Sequence, residues 1–196
     1  MKNIKALTLA FLLTLFGSSH ALAEYGITVG LTGSMAMIEA SGQETEGGEV
    51  SRGEVSNNTG VGSIFVEYND ILGSGFSLGV DYIPGSADVS GKTHKRTETA
   101  QGKSGVDADG SVTRTADAEV ENLNTLYIEY PMGAYFAKLG YAQIDVNTKE
   151  NKITGSGSYG NDTLDGYTLG LGVNGSMGEF FTKTSVEYTD FDDIER

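Results

Sequence analysis

The chain has 196 residues, no cysteine and a formal charge of −14. No disulfide can staple it, so it must be held together by burial or by a membrane. Its acidic excess speaks against a nucleic-acid partner, whose phosphates demand a basic surface. Twenty-eight glycines, ten tyrosines and only two prolines favour strands and turns over helices.

At the start, Lys2 and Lys5 precede an apolar run from Ala6 to Phe16, and Ala21-Leu22-Ala23 follows. A basic segment, a short apolar segment and an A-x-A site together form the layout of a bacterial secretory signal. The 11 apolar residues are too few for a membrane helix, which needs roughly 20. Residues 1–23 are therefore expected to be a leader and residues 24–196 one mature domain. Loss of Lys2 and Lys5 with the leader takes the formal charge from −14 to −16.

Seven segments then alternate in polarity with period two, the pattern of a strand with one apolar and one polar face. They are Tyr25–Met37, Gly60–Tyr68, Phe76–Ile83, Leu123–Tyr130, Tyr135–Asp145, Leu164–Val173 and Glu179–Tyr188. In the third, Phe76, Leu78, Val80 and Tyr82 alternate with Ser77, Gly79 and Asp81. In the sixth, Tyr167, Leu169, Leu171 and Val173 alternate with Gly166, Thr168, Gly170 and Gly172.

The connections alternate in length. Asn69–Gly75, Pro131–Ala134 and Asn174–Gly178 are short and carry Gly, Asn or Pro, the residues of tight turns. Ile38–Thr59, Pro84–Asn122 and Val146–Thr163 are long and rich in Gly, Ser, Thr, Asp and Glu. Loops this long count against an ordinary compact domain. Outer-membrane barrels expect them, with short periplasmic turns at one end and long extracellular loops at the other. The aromatics agree: Tyr25, Tyr68, Phe76, Tyr130, Tyr135 and Phe180 fall near one end of the apolar faces, and Tyr82, Tyr141, Tyr167 and Tyr188 near the other. Two such girdles mark membrane interfaces.

On this layout, and on stretches such as Gly75-Phe-Ser-Leu-Gly-Val-Asp-Tyr82 and Asp165-Gly-Tyr-Thr-Leu-Gly-Leu-Gly-Val173, the chain resembles the small outer-membrane β-barrels of the opacity-protein and OmpA-transmembrane type. The resemblance covers the leader and essentially all of residues 24–196. It implies an antiparallel up-and-down transmembrane β-barrel of eight strands. Only seven are legible, and Thr189-Asp-Phe-Asp-Asp-Ile-Glu-Arg196 reads as the start of a fourth external loop. The chain is therefore expected to be a C-terminally truncated fragment lacking its last strand; the alternative is an irregular strand within Pro84–Asn122. The resemblance also implies outer-membrane lipid, lipopolysaccharide and the outer-membrane assembly machinery as partners.

The polar faces carry Glu67, Asp81, Glu129 and Glu187 with Lys138 and Lys183. In a narrow barrel that face fills the interior, where unpaired charge is costly and acids should pair with lysines. Inward glycines, among them Gly79, Gly140, Gly166, Gly170 and Gly172, would make room for them.

Enzymatic signals are weak. The mature chain's one histidine, His94, has Ser90 and Asp88 near it in sequence but no positioned nucleophile or orienting group. Asp107-Ala-Asp-Gly-Ser111 lacks the spacing and terminal Glu of a calcium loop, and Asp190, Asp192 and Asp193 read as a polar turn. No cofactor and no metal is expected.

The leading expectation is a non-enzymatic outer-membrane β-barrel with a structural or surface-interaction role, meeting any extracellular partner through 38–59 and 84–122. Two other readings stay open. One is a narrow, porin-like ion channel through the charged interior. The other is a soluble periplasmic, lipocalin-like barrel with its apolar face turned inward around a ligand.

Overall fold

Segments that alternate in polarity cannot satisfy their backbone groups alone, and here they pair in chain order. The computed structural model describes residues 8–9, 19–22, 26–46, 49–89, 94–99, 111–150, 160–177 and 180–194. Its strands are β1 (Thr8–Leu9), β2 (Ser19–Leu22), β3 (Ile27–Glu46), β4 (Glu49–Tyr68), β5 (Ser77–Asp88), β6 (His94–Thr99), β7 (Ser111–Met132), β8 (Tyr135–Glu150), β9 (Asp162–Met177) and β10 (Phe180–Phe191). The only helical turn among the described residues is a 3₁₀ turn at Ile71–Gly73.

The protein is all-β. Seven long strands run up and down as β3-β4-β5-β7-β8-β9-β10, each antiparallel to its neighbours. The sheet curls strongly: Lys183 on β10 bonds Glu67 on β4, although β5, β7, β8 and β9 lie between them in the sheet. Among the described residues β3 and β10 do not pair with each other. The short β2 pairs with Ile27–Gly30 and meets β10 at Phe181, and β1 meets β10 at Thr189 and Asp190.

The strands are longer than the sequence reading gives them. β3 and β4 form a hairpin in unbroken register from Ile27↔Tyr68 to Glu46↔Glu49. Most of the stretch read as the long loop 38–59 is therefore strand. Only Gly47 and Gly48 separate the two strands in sequence, and a Gly-Gly pair is a two-residue hairpin signal. Within 84–122, β5 reaches Asp88, β6 pairs with Ser111–Ala116, and β7 continues past the expected start at Leu123. The third long connection shortens likewise, because β8 and β9 stay paired to Val146↔Asp162. Thr189–Phe191, read as the start of a loop, completes β10.

One feature governs everything else: the apolar residues change sides partway up the sheet. On β3, Val29, Leu31 (59% exposed) and Met35 face outward, and Thr28, Thr32 and Ser34 are buried. A few residues further on, Ala36 and Ile38 (1% exposed) are the buried ones and Glu39 is exposed. On β8, Leu139 and Tyr141 face out over buried Lys138, but above them Ala142, Ile144 and Val146 are buried. On β9 the outward Leu169 and Tyr167 give way to the inward Leu164, and on β10 the outward Val186 and Tyr188 give way to the inward Phe191. Along these strands the backbone alternation never slips; only the chemistry of the two faces is exchanged. The lower half is a belt, apolar outside and polar inside. The distal half has an ordinary apolar core of Ala36, Ile38, Val89, Val120, Leu123, Ala142, Ile144, Val146, Leu164 and Phe191.

Candidate functional site

The belt interior is built from residues that the strand register places in rows. Glu129 pairs with Lys138 across β7 and β8, Lys138 with Gly170 across β8 and β9, and Gly170 with Glu187 across β9 and β10. Lys138 reaches over Gly170 to bond both carboxylate oxygens of Glu187, at 3.0 and 2.9 Å. A Cβ on Gly170 would stand 3.0 Å from Glu187 Cγ and 3.2 Å from Lys138 Cβ, so this glycine opens the path between the two charges.

Lys183 donates to Glu67 Oε2 at 2.7 Å and to the two oxygens of Glu129 at 2.7 and 2.8 Å. Tyr127 donates its hydroxyl to the same Glu67 oxygen at 3.0 Å. Its ring lies over Gly79, where a Cβ would come within 2.2 Å of the ring, and Lys138 Nζ sits 4.1 Å from the ring centre. Asp81 stands to one side, accepting from Ser63 at 3.1 Å, and Ser63 in turn shares a hydrogen bond with Thr32.

All six charges named from the sequence thus face one interior. Five of them, with Tyr127, are tied by ion pairs and hydrogen bonds among side chains no more than 10% exposed. Buried charges survive desolvation only when paired and hydrogen-bonded in this way. The cluster holds four carboxylates against two lysines, so each lysine serves more than its own share of negative charge.

The aromatic residues of the inner face were not singled out from the sequence. Phe65 covers Gly30, Tyr127 covers Gly79 and Phe136 covers Gly172. In each pair a large ring fills the space that an inward glycine leaves on the neighbouring strand. The sequence contains both partners, but only the register matches them. Gly79 and Gly172 therefore accommodate rings, and of the inward glycines Gly170 is the one that passes a charge. The remaining space is a cavity of about 20 Å³ lined by Thr32, Asp81, Tyr127, Lys138 and Lys183 among others, room for about one water.

Outside, the girdle residues all project from the sheet: Tyr68, Phe76, Tyr130 and Tyr135 toward one end, Tyr82, Tyr141, Tyr167 and Tyr188 toward the other. Phe76 and Tyr130 rings lie 4.9 Å apart, and Tyr141 and Tyr167 meet edge to face at 6.0 Å. One ladder row starts at Tyr68 in the first ring, passes Leu78, Ile128, Leu139 and Leu169, and ends at Tyr188 in the second. Five steps of ~4.8 Å, climbing at a strand tilt of ~40°, rise roughly 15 Å. The row joins the two rings because the strands are tilted. Tyr25 and the Phe180 side chain lie outside the described residues.

Just above the second ring, Asp165 accepts from Tyr141 and from Gln143 (3.0 Å), and these bonds hold its carboxyl below the usual carboxylate range. His94 lies on β6 opposite Ala116, and its side chain is outside the described residues, as is most of Asp107–Ser111. Asp190, Asp192 and Asp193 are exposed. Among the described residues no three His, Asp or Glu side chains come together as a metal site. No helix of the described residues is long and apolar enough to cross a membrane, which says nothing about crossing with strands.

Comparison with known proteins adds no relative: no family model, no curated protein and no solved structure matches the chain.

Proposed function

We propose that the protein is a non-enzymatic β-barrel of a bacterial outer membrane, eight-stranded when closed, that stabilises the envelope and displays acidic hairpins outside the cell. The observation that carries this is the belt. Val29, Leu31, Val66, Leu78, Val80, Ile128, Leu139, Leu169, Leu171 and Val186 are all exposed while the charges point inward. In water such a belt is a large apolar patch of the kind that marks a membrane or partner interface; in lipid it is the stable arrangement. Its orientation is the reverse of what a soluble lipocalin-like barrel needs. Lipid and lipopolysaccharide would contact the belt, the assembly machinery would insert it, and an extracellular partner would meet the hairpins within 38–59 and 84–122.

The interior favours a plug over an ion channel. Lys183 bridges β10 to β4 and β7, Lys138 bridges β8 to β10, and the rings of Tyr127 and Phe136 fill the space beside them. The protein should fractionate with outer membranes and resist carbonate extraction. Protease added to intact cells should cut the distal hairpins and spare the belt. Recovery as a soluble periplasmic protein would overturn the proposal.

A further inference from the structure

The turn between β4 and β5 holds a leucine in a place that leucine does not favour. Four of its residues lie in the left-handed region: Asp70 (φ +53°), Leu72 (+52°), Gly73 (+73°) and Gly75 (+79°). Glycine takes such angles freely. Asp70 uses its angle, because its carboxylate accepts from the Gly75 N–H at 2.8 Å, the kind of local bond that lets Asp visit this region. Leu72 has neither reason. A bulky residue at positive φ is an outlier, and its side chain is 96% exposed, so contacts within the protein do not offset the strain.

The turn is nonetheless held firmly. The Ile71 N–H donates to the Phe76 carbonyl at 2.8 Å, and Gly73 N–H to Asp70 and Ser74 N–H to Ile71, each at 3.0 Å. At its root Asn69 donates to Thr28 Oγ1 at 2.7 Å and accepts from Ser77 Oγ at 3.1 Å. A strained residue fixed by its surroundings points to a role outside the fold. The neighbouring surface says what kind. Tyr68 and Phe76 of the first ring flank the turn, and the Phe76 ring lies 4.9 Å from that of Tyr130. On β7 the outward column of Ile128 and Tyr130 continues past the ring to the exposed Met132. Apolar surface therefore overshoots the ring on this flank.

We infer that the Leu72 turn is a membrane anchor, with the Leu72 side chain set among acyl chains at the edge of the leaflet that meets the first tyrosine ring. Taking the side chain out of water is favourable and offsets the strain. Residues 69–76 carry no lysine or arginine, so attraction to headgroup phosphate plays no part. The inference rests on the proposed membrane reading of the belt and adds a contact below it.

The test is methyl NMR of the full chain in phosphatidylcholine nanodiscs, with a doxyl label on the acyl chains or, separately, a soluble gadolinium chelate. The doxyl lipid should broaden the methyls of Leu72 and Ile71 as it does those of Leu139 and Leu169 in the belt, and the chelate should spare them. Leu72→Gly suits the left-handed angle and keeps the turn; Ile71 should then lose most of its doxyl broadening while Leu169 keeps its own. Ile71 broadened as before in that variant would overturn the anchor. So would Leu72 methyls broadened by the chelate and not by the lipid while Leu139 and Leu169 do the reverse, a result that leaves the membrane reading standing. If Leu139 and Leu169 broaden with the chelate as well, the membrane reading falls and the anchor falls with it.

Discussion

The belt and the distal half are made of the same strands, yet they are opposite kinds of protein. In the belt, Leu139 and Leu169 face out and Lys138, Glu187 and Lys183 face in; in the distal half, Ile38 and Ile144 face in and Glu39 and Asn58 face out. Backbone geometry is common to both, so the difference must come from what each half touches. Apolar side chains turn away from water above the line of the second tyrosine ring and toward the surroundings below it. On the proposed membrane reading, the exchange of faces marks where lipid gives way to water.

The most severe way to break this contrast is to remove a lysine from the belt interior. Lys183→Ala leaves Glu67 and Glu129 buried without their cation, and such a loss costs about 3–5 kcal/mol. Urea unfolding in detergent should show it, and a cost near zero would mean that water reaches the interior. The next test compares the outsides of the two halves. Leu171→Arg, deeper in the belt, should cost about 2–4 kcal/mol in a bilayer, whereas Asn58→Arg, outward on the distal part of β4, should stay within about 0.5 kcal/mol. Equal costs would erase the boundary.

A smaller effect is expected of Tyr127→Phe, which removes one hydrogen bond to a charged group and should cost about 1.5–3 kcal/mol in the same assay. The smallest concerns pH. Asp165 has its carboxyl lowered by the bonds from Tyr141 and Gln143. Its stabilisation is full above the unfolded-state value and is lost as pH falls through the folded one. Asp165→Asn removes that contribution where it is full, so a melting series should show slightly lower stability at neutral pH, a flatter acid limb and no change at pH values below the folded-state one.

The belt is legible in the sequence and most of the distal half is not. On β3 and β10 the legible apolar face stops where it changes sides, at Met37 before the inward Ile38 and at Tyr188 before the inward Phe191. On β7 it stops at Leu123, where the register shifts between Glu121 and Asn124. An alternation that keeps its period but exchanges its faces looks like the end of a strand. The Gly47-Gly48 pair between β3 and β4 is a usable hairpin signal in the sequence. The six interior charges could be placed on one face from spacing alone. Their partners could not, because Lys183 meets Glu67 across 116 positions of sequence and Tyr127 meets it across 60. Only the curl of the sheet brings those residues together.

That separation bears on the order in which the molecule assembles. The β3–β4 hairpin needs nothing beyond residues 27–68: its register is unbroken from Glu46↔Glu49 to Ile27↔Tyr68, and such local contacts form early. The Lys183 bridge must wait for β10, which follows the other six long strands in the chain. Until then Glu67 and Glu129 have no lysine between them, so an unfinished sheet carries a repulsion that only completion relieves. Pulse-labelled hydrogen exchange should find amides of β3 and β4 protected before those of β10, and simultaneous protection would refute that order. The Lys183 bridge is thus a latch that the chain can close only after β10 has arrived.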